Sequence, residues 1–378
     1  MEPETADDAN LSKLLDRTLT ELEFDDQSDA DESPVPVTFS TQDYPVDGLV
    51  SRLERGTMLV PQFGTADARI HTAGFQRGFV WTKKQMDKFI ESLLLGYPIP
   101  GIFLVKQAAD NRLLVLDGQQ RLETLRLFYS GIYEDRAFKL TNVGTELQGL
   151  TYATLGDERQ LMLDNSFMQA TIVTADGTAE VNEAVYSIFE RLNSGGTQLT
   201  PHEIRMALFA GPLMDSIAAI NEEEGWRWIY GTKSKRARDH ELILRAIALF
   251  ERSSEYRRPL KSFLNSFSAD RRDVDAAATD SGQWFVEACE ILSSEVGSGV
   301  LRRDEGGAVN AALAEAIIVA LMEHLRDSGS APENLEERVA TLKSDSQFLS
   351  ATARATADNE AVRQRLASAR AILADREQ

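Results

Sequence analysis

Cysteine is almost absent: Cys289 is the single one in 378 residues. That excludes an internal disulfide framework and any cluster of thiolate metal ligands, and it fits a reducing, cytoplasmic setting. Long apolar runs are absent too. No stretch approaches the roughly 20 residues needed to cross a bilayer, and the start Met1-Glu2-Pro3-Glu4 lacks the basic and apolar regions of a secretory signal. Histidine is sparse. The four (His71, His202, His240 and His324) are scattered, without the paired spacing of a metal site. No internal repeat is visible.

Acid is what the chain has in excess, with a formal net charge of -20. The excess is concentrated at one end. Between Met1 and Glu32 stand twelve acids (Glu2, Glu4, Asp7, Asp8, Asp16, Glu21, Glu23, Asp25, Asp26, Asp29, Asp31 and Glu32), opposed only by Lys13 and Arg17. A block of this kind is expected to be a disordered, self-repelling tail over 1–36. It acts either as a solubiliser or as a decoy that competes with nucleic acid for a basic surface. The rest of the chain is only mildly acidic and is long enough for two domains.

Past Ser33-Pro34-Val35-Pro36, hydrophobic spacing predicts a helix over Tyr44–Gly56 and a short strand over Thr57–Phe63. Thr82-Lys83-Lys84-Gln85 has the form of a capping box. Met86, Phe89, Ile90, Leu93 and Leu94 follow on one helical face, which stops at Gly96. Gly101–Val105 and Leu113–Leu116 read as a hairpin. Asp117-Gly118 comes next, then a helix that ends near Gly131. From Phe138 to Val173 the pattern mixes short strands with a helix near Glu158–Asp164, and Glu183–Leu192 is helical. Thr200-Pro201-His202-Glu203 is a second capping box. Beyond Leu213 nearly everything is helical, most clearly Leu242–Phe250, Ala308–Leu325, Leu335–Leu342 and Glu360–Leu373. The expected class is α+β: a mixed α/β domain over 37–211 and an all-α domain over 212–378.

A strand, then Asp-Gly, then a helix presents several backbone amides at one open helix end, which favours an anion such as phosphate. Gly118 permits a positive φ and close approach of a ligand. Arg121 falls in the first helical turn, against the dipole, so something negative should balance it. Its planar fork suits a pair of phosphate oxygens. Gln119 and Gln120 supply amides able to orient a base, a sugar or a water. The plainer alternative has Asp117 capping the helix while Arg121 pairs with Asp117 or Glu123.

Three further groups have the same double reading. Gln76, Arg77 and Trp81 can read or grip DNA, or Trp81 can staple back onto Met86. Asn193, Ser194, Gly195 and Gly196 can form an anion-binding nest or a helix cap. Lys233, Lys235, Arg236 and Arg238, with Arg257, Arg258 and Lys261, can line a nucleic-acid surface or a solvated helix face. His240 and Cys289 are expected to be structural.

Five segments together resemble the GmrSD-type N-terminal domain family. They are Phe75-Gln76-Arg77-Gly78-Phe79-Val80-Trp81, Ser92–Pro100, Leu116-Asp117-Gly118-Gln119-Gln120-Arg121-Leu122, Phe189–Thr197 and Arg238–Arg245. The Phe348–Ala355 stretch also fits. The resemblance implies a ParB/sulfiredoxin-like fold in which the Asp-Gly-Gln-Gln-Arg turn holds nucleotide phosphates. It implies NTP binding and hydrolysis with Mg2+ or Mn2+, often in restriction systems that act on modified phage DNA. Carried onto this chain, Asp117, Gln119, Gln120 and Arg121 become the catalytic set, with Asp117 the metal ligand and Gly118 and Asn193–Gly196 beside the nucleotide. Gln76, Arg77 and Trp81 become the segment that senses DNA modification. Relatives that cut DNA efficiently add a C-terminal HNH domain. This chain offers no residues for one, so a separate nuclease subunit is expected as partner, with slow ParB-like nicking as the other reading.

Overall fold

The computed structural model describes residues 37–60, 81–106, 111–174, 178–192, 200–234, 236–304, 306–353 and 356–373. Contacts divide the chain into two compact units. One is built from Pro34–Thr200 and Met206–Leu208, the other from Pro201–Arg205 and Phe209–Gln378.

The first unit runs β1 (Phe39–Pro45), α1 (Val46–Glu54), β2 (Met58–Leu59), α2 (Lys83–Leu94), β3 (Ile102–Lys106), β4 (Leu113–Asp117) and α3 (Gln119–Ser130). A small hairpin of β5 (Ile132–Tyr133) and β6 (Arg136–Ala137) follows, then α4 (Asp157–Asp164), β7 (Phe167–Thr174) and α5 (Ala179–Leu192). Five strands form one sheet in the order β1-β7-β3-β4-β2. β3 and β4 are the expected antiparallel hairpin. β7 pairs antiparallel with β1 and parallel with β3, and β2 lies parallel to β4. Among the described residues the first strand of this sheet, β1, therefore pairs with its last, β7, and the Thr174 N–H donates to the Thr38 carbonyl at 3.1 Å just beyond that pairing.

Side chains alternate across each strand. Ile102, Leu104, Leu113, Val115, Met168, Ala170 and Ile172 point into one core with Leu49, Val50, Met86, Phe89, Ile90, Leu93, Leu122, Leu125 and Phe128 from α1, α2 and α3. Val105, Leu114 and Leu116 are buried as well. Burial on both faces accounts for the unbroken Leu-Leu-Val-Leu run of β4. Below this core, Asp87 of α2 is fully buried and gathers donors. Its Oδ2 accepts from Thr141 N (3.1 Å), Thr141 Oγ1 (3.0 Å), Asn142 N (2.9 Å) and Asn142 Nδ2 (2.8 Å), while Oδ1 takes the Lys83 ammonium. The loop after β6 is thereby pinned to α2.

The second unit is helical: α6 (Pro201–Leu208, shared between the units), α7 (Pro212–Ile220), α8 (Glu224–Tyr230), α9 (Arg238–Arg252), α10 (Leu260–Asp270), α11 (Asp280–Glu295), α12 (Ala311–Ser328), α13 (Leu335–Ser344), α14 (Ser346–Ala351) and α15 (Asn359–Leu373). Nearly every residue of α12 from Ala311 to Leu325 is buried, so this helix is the axis of its unit. Its two buried acids are met by α15, Glu315 by Arg365 and Glu323 by Arg370. No helix among the described residues is long and apolar enough to cross a membrane.

The sequence reading departs from these elements in one instructive place. The expected helix over Tyr44–Gly56 begins only at Val46, because Phe39–Pro45 is strand. β1 has five consecutive exposed residues and no apolar alternation, so periodicity had nothing to detect.

Candidate functional site

The step from β4 into α3 is a tightly constrained turn of the first unit. Gly118 has φ +95° and is the N-cap of α3, with no side-chain cap hydrogen bond. The first bond of the helical ladder is Leu122 N to Gly118 O at 3.0 Å, so the amides of Gln119, Gln120 and Arg121 precede the ladder, as expected of a helix start. Asp117 does not cap. It is the ion-pair partner of Arg121, its Oδ2 2.8 Å from Nη2. Of the acids weighed for Arg121, Glu123 instead binds Arg126.

The other half of the Arg121 fork is also engaged. Nη1 donates to the carbonyls of Pro100 (2.6 Å) and Gly101 (3.0 Å). One guanidinium thus ties the entry to β3 to the exit of β4, with the neighbouring acid neutralising its charge against the helix dipole. The Asp117 side chain is 47% exposed and that of Arg121 11%, so the carboxylate faces outward while the guanidinium is tucked beneath it. Gly118 is required for packing. A Cβ there would stand 2.3 Å from Ile102 Cγ2, so the turn has no room for a side chain at this position.

The two glutamines diverge. Gln119 Nε2 makes a long 3.5 Å contact to Val115 O. The Gln120 side-chain oxygen accepts the Trp81 main-chain N–H at 3.1 Å. Trp81 directly precedes the α2 capping box, in which Thr82 Oγ1 accepts from Gln85 N and Gln85 Oε1 from Thr82 N. The Trp81 indole packs on the core, with its ring contact to Phe89, edge-on at 5.5 Å. The cluster on which Trp81 packs also contains Met86, onto which the staple was expected. Two segments that sequence reasoning treated separately, the Trp81 segment and the Asp117–Arg121 turn, meet here. The link left no mark in the sequence because its donor is a main-chain amide 39 residues from its acceptor.

The basic run folds around acids. Lys233 pairs with Glu222 at 2.6 Å. Arg236 grips buried Glu203 with two bonds, 3.0 and 2.8 Å. Asp239, buried at the start of α9, accepts from Asn221 Nδ2 (3.3 Å), Arg227 Nη1 (3.0 Å) and Ser234 N (3.1 Å). Arg238 opens α9, and Arg258 pairs with Asp358 at 2.6 Å. Much of this positive charge is matched by acid within the helical unit, and Arg236 holds the fold.

His240 and Cys289 are buried, as expected. Burial, helped by the charge on Glu290, pushes the Cys289 thiol far above its ordinary range, which makes it inert. Gln76, Arg77, Asn193, Ser194, Gly195, Gly196 and Lys235 lie outside the described residues. Among the described residues no group of three or more His, Cys, Asp or Glu side chains converges to hold a metal ion. At the turn itself Asp117 is the one carboxylate to offer. A single carboxylate is compatible with Mg2+ that keeps its waters and shares phosphate oxygens with a nucleotide.

A search of curated proteins finds no match. Residues 62–210 match the family model described as GmrSD restriction endonuclease, N-terminal domain. The matched span contains α2, the β3–β4 hairpin, the Gly118 turn and α3. Over residues 62–210, therefore, this chain is similar to the N-terminal domain of the GmrSD restriction endonucleases.

Proposed function

We propose that this protein is the nucleotide-responsive component of a restriction system directed at DNA, with a nucleoside triphosphate held at the Asp117–Arg121 turn and its turnover coupled to DNA recognition. What carries the reading is the turn itself: a positive-φ glycine leads from a buried strand into a 12-residue helix whose first amides precede the ladder. Such an end attracts phosphate through its amides and dipole. The family match spans this turn and supports the restriction setting.

In this reading Asp117 holds the Mg2+ or Mn2+, which supplies charge neutralisation at the phosphates. Gln119 orients the attacking water. Arg121 shapes the turn by bracing Pro100 and Gly101, and it keeps Asp117 in place. Gln120 has its oxygen on Trp81 and does not share the water. Chemistry on DNA falls to a separate nuclease subunit.

Calorimetry of the full chain with Mg2+ and each common NTP tests the proposal, together with phosphate release measured with and without DNA. Saturable binding, with turnover lost in Asp117→Ala, is the expected outcome. No heat from any NTP would sink it.

One observation favours a second reading. Three protein oxygens satisfy Arg121 without any ligand, so the turn can also serve as a lock in a non-catalytic module that recruits the nuclease. Binding without phosphate release would select that reading.

A further inference from the structure

The α2 capping box serves its own two ends, Thr82 N and Gln85 N. The Trp81 N–H stands one residue outside that box, on a half-buried residue whose ring is fixed against Phe89. A main-chain donor in such a place needs an acceptor. Gln120 supplies it from the first turn of α3 at 3.1 Å. The Gln120 main chain is tied in turn: its carbonyl accepts from Thr124 Oγ1 at 2.7 Å. Gln120 therefore spans from the turn to the start of α2, joining two helix starts that come from distant parts of the chain.

We propose that Gln120 is a positioning residue, and that its side-chain oxygen couples occupancy of the Asp117–Arg121 turn to the main chain at Trp81. The inference rests on the nucleotide reading above and specifies how that site is regulated. A ligand seated on the amides of Gln119–Arg121 bears on the first turn of α3. The Gln120 side chain passes any adjustment of that turn to Trp81, and so to the entry of α2. The requirement is for an acceptor at position 120, not for an amide donor. This separates the role from one in which Gln120 orients water or a base through its N–H groups.

The test uses the full chain labelled with 15N-tryptophan, whose four main-chain amides are few enough to resolve, with Trp81 assigned by its loss in Trp81→Phe. Mg2+ and ATP, GTP, CTP or UTP are titrated in turn, and binding is followed in parallel by calorimetry. The Trp81 amide signal is expected to move and to saturate with the calorimetric isotherm. At saturating nucleotide, Gln120→Met, similar in shape but without the acceptor, should show less than half of that movement. Gln120→Glu, which keeps an acceptor, should restore most of it. Full movement in Gln120→Met overturns the inference, as does a motionless Trp81 signal in a wild-type protein that binds nucleotide. Loss of all binding in folded Gln120→Met also overturns it, by making Gln120 a ligand contact. If Gln120→Met does not fold, amide exchange in the wild type decides. Trp81 should exchange at least tenfold more slowly than an open amide and change rate with nucleotide, and an unprotected Trp81 refutes the link. An absent calorimetric isotherm for every NTP identifies failure of the nucleotide reading itself, and the inference falls with it.

Discussion

Ile102 occupies the space in which a side chain at position 118 would stand, its Cγ2 2.3 Å from the place of a Cβ. Gly118→Ala should therefore suffer twice, from the left-handed backbone and from the clash. A left-handed backbone costs a non-glycine residue about 1–2 kcal/mol, and forcing a methyl into a packed core about 1–3 kcal/mol. We expect a loss of about 2–5 kcal/mol confined to the first unit. Trp81 is the one tryptophan in that unit, the others being Trp226, Trp228 and Trp284. Urea unfolding followed by the 19F signal of 5-fluorotryptophan at Trp81 reads the effect, and an unchanged midpoint would refute the packing argument.

Arg121 engages three oxygens from two directions, and a lysine ammonium is a point charge that cannot span them. Arg121→Lys should consequently resemble Arg121→Ala. Hydrogen bonds to a charged group are worth about 2 kcal/mol, which in a unit of this size lowers its melting temperature by roughly 4–8 °C. Full recovery by lysine would show that charge alone matters at this position.

Asp87 is held below the ordinary carboxylate range. Burial works against its charge, but the ion pair with Lys83 and the donors of Asn142 and Thr141 outweigh that effect. A depressed carboxylate contributes stability above its unfolded pKa, near 3.8, and the contribution is lost as pH falls through the folded value. Asp87→Asn should cost about 3 kcal/mol at neutral pH, at the low end for a broken buried pair because Lys83 keeps some solvent. The variant should also lose stability less steeply than the wild type below pH 4. Parallel acid-unfolding curves for the two proteins would exclude Asp87 as the sensitive group.

His202 is fully buried, with Arg205 Nη1 3.3 Å from its Nδ1. Burial drives its pKa well below 6.5; Glu241 pulls the other way, while Arg205, His240 and Arg245 add to the fall. Here the unfolded chain binds the proton that the native state refuses, so stability is retained above pH 6.5 and declines below it. The slope per such histidine is about 1.4 kcal/mol per pH unit. The helical unit should melt earlier at pH 5.5 than at pH 7.5, and His202→Gln should flatten that dependence. An equal slope in the variant would move the effect to another group.

Local grammar made much of the fold legible. The Thr82 cap with its helix, the β3–β4 hairpin, the Gly118 turn, and helices α3, α9, α12, α13 and α15 each have signals within a few residues of themselves. β1 was hidden because a polar strand at a sheet edge owes its existence to a partner far along the chain. At the candidate site, the Asp117–Arg121 pairing was one of the alternatives visible from spacing. The acceptors on Pro100 and Gly101, the Ile102 contact and the Trp81–Gln120 bond were not, because carbonyls, amides and neighbouring surfaces carry no residue code. Asp87 escaped notice for the same reason: two of its donors are main-chain amides, at Thr141 and Asn142.

The sheet's order also sets a schedule for synthesis. β1 leaves the ribosome early, but the strand it pairs with, β7, begins only at Phe167, which is 167 - 45 = 122 residues after the end of β1. At about 5–20 residues per second, β1 waits roughly 6–24 s for its partner. In that interval β3 and β4 can close their hairpin, which needs only neighbouring sequence, while the parallel seat beside β3 stays open until β7 arrives. A nascent chain stalled before Phe167 should thus hold the Gly118 turn on an incomplete sheet with β1 still unpaired.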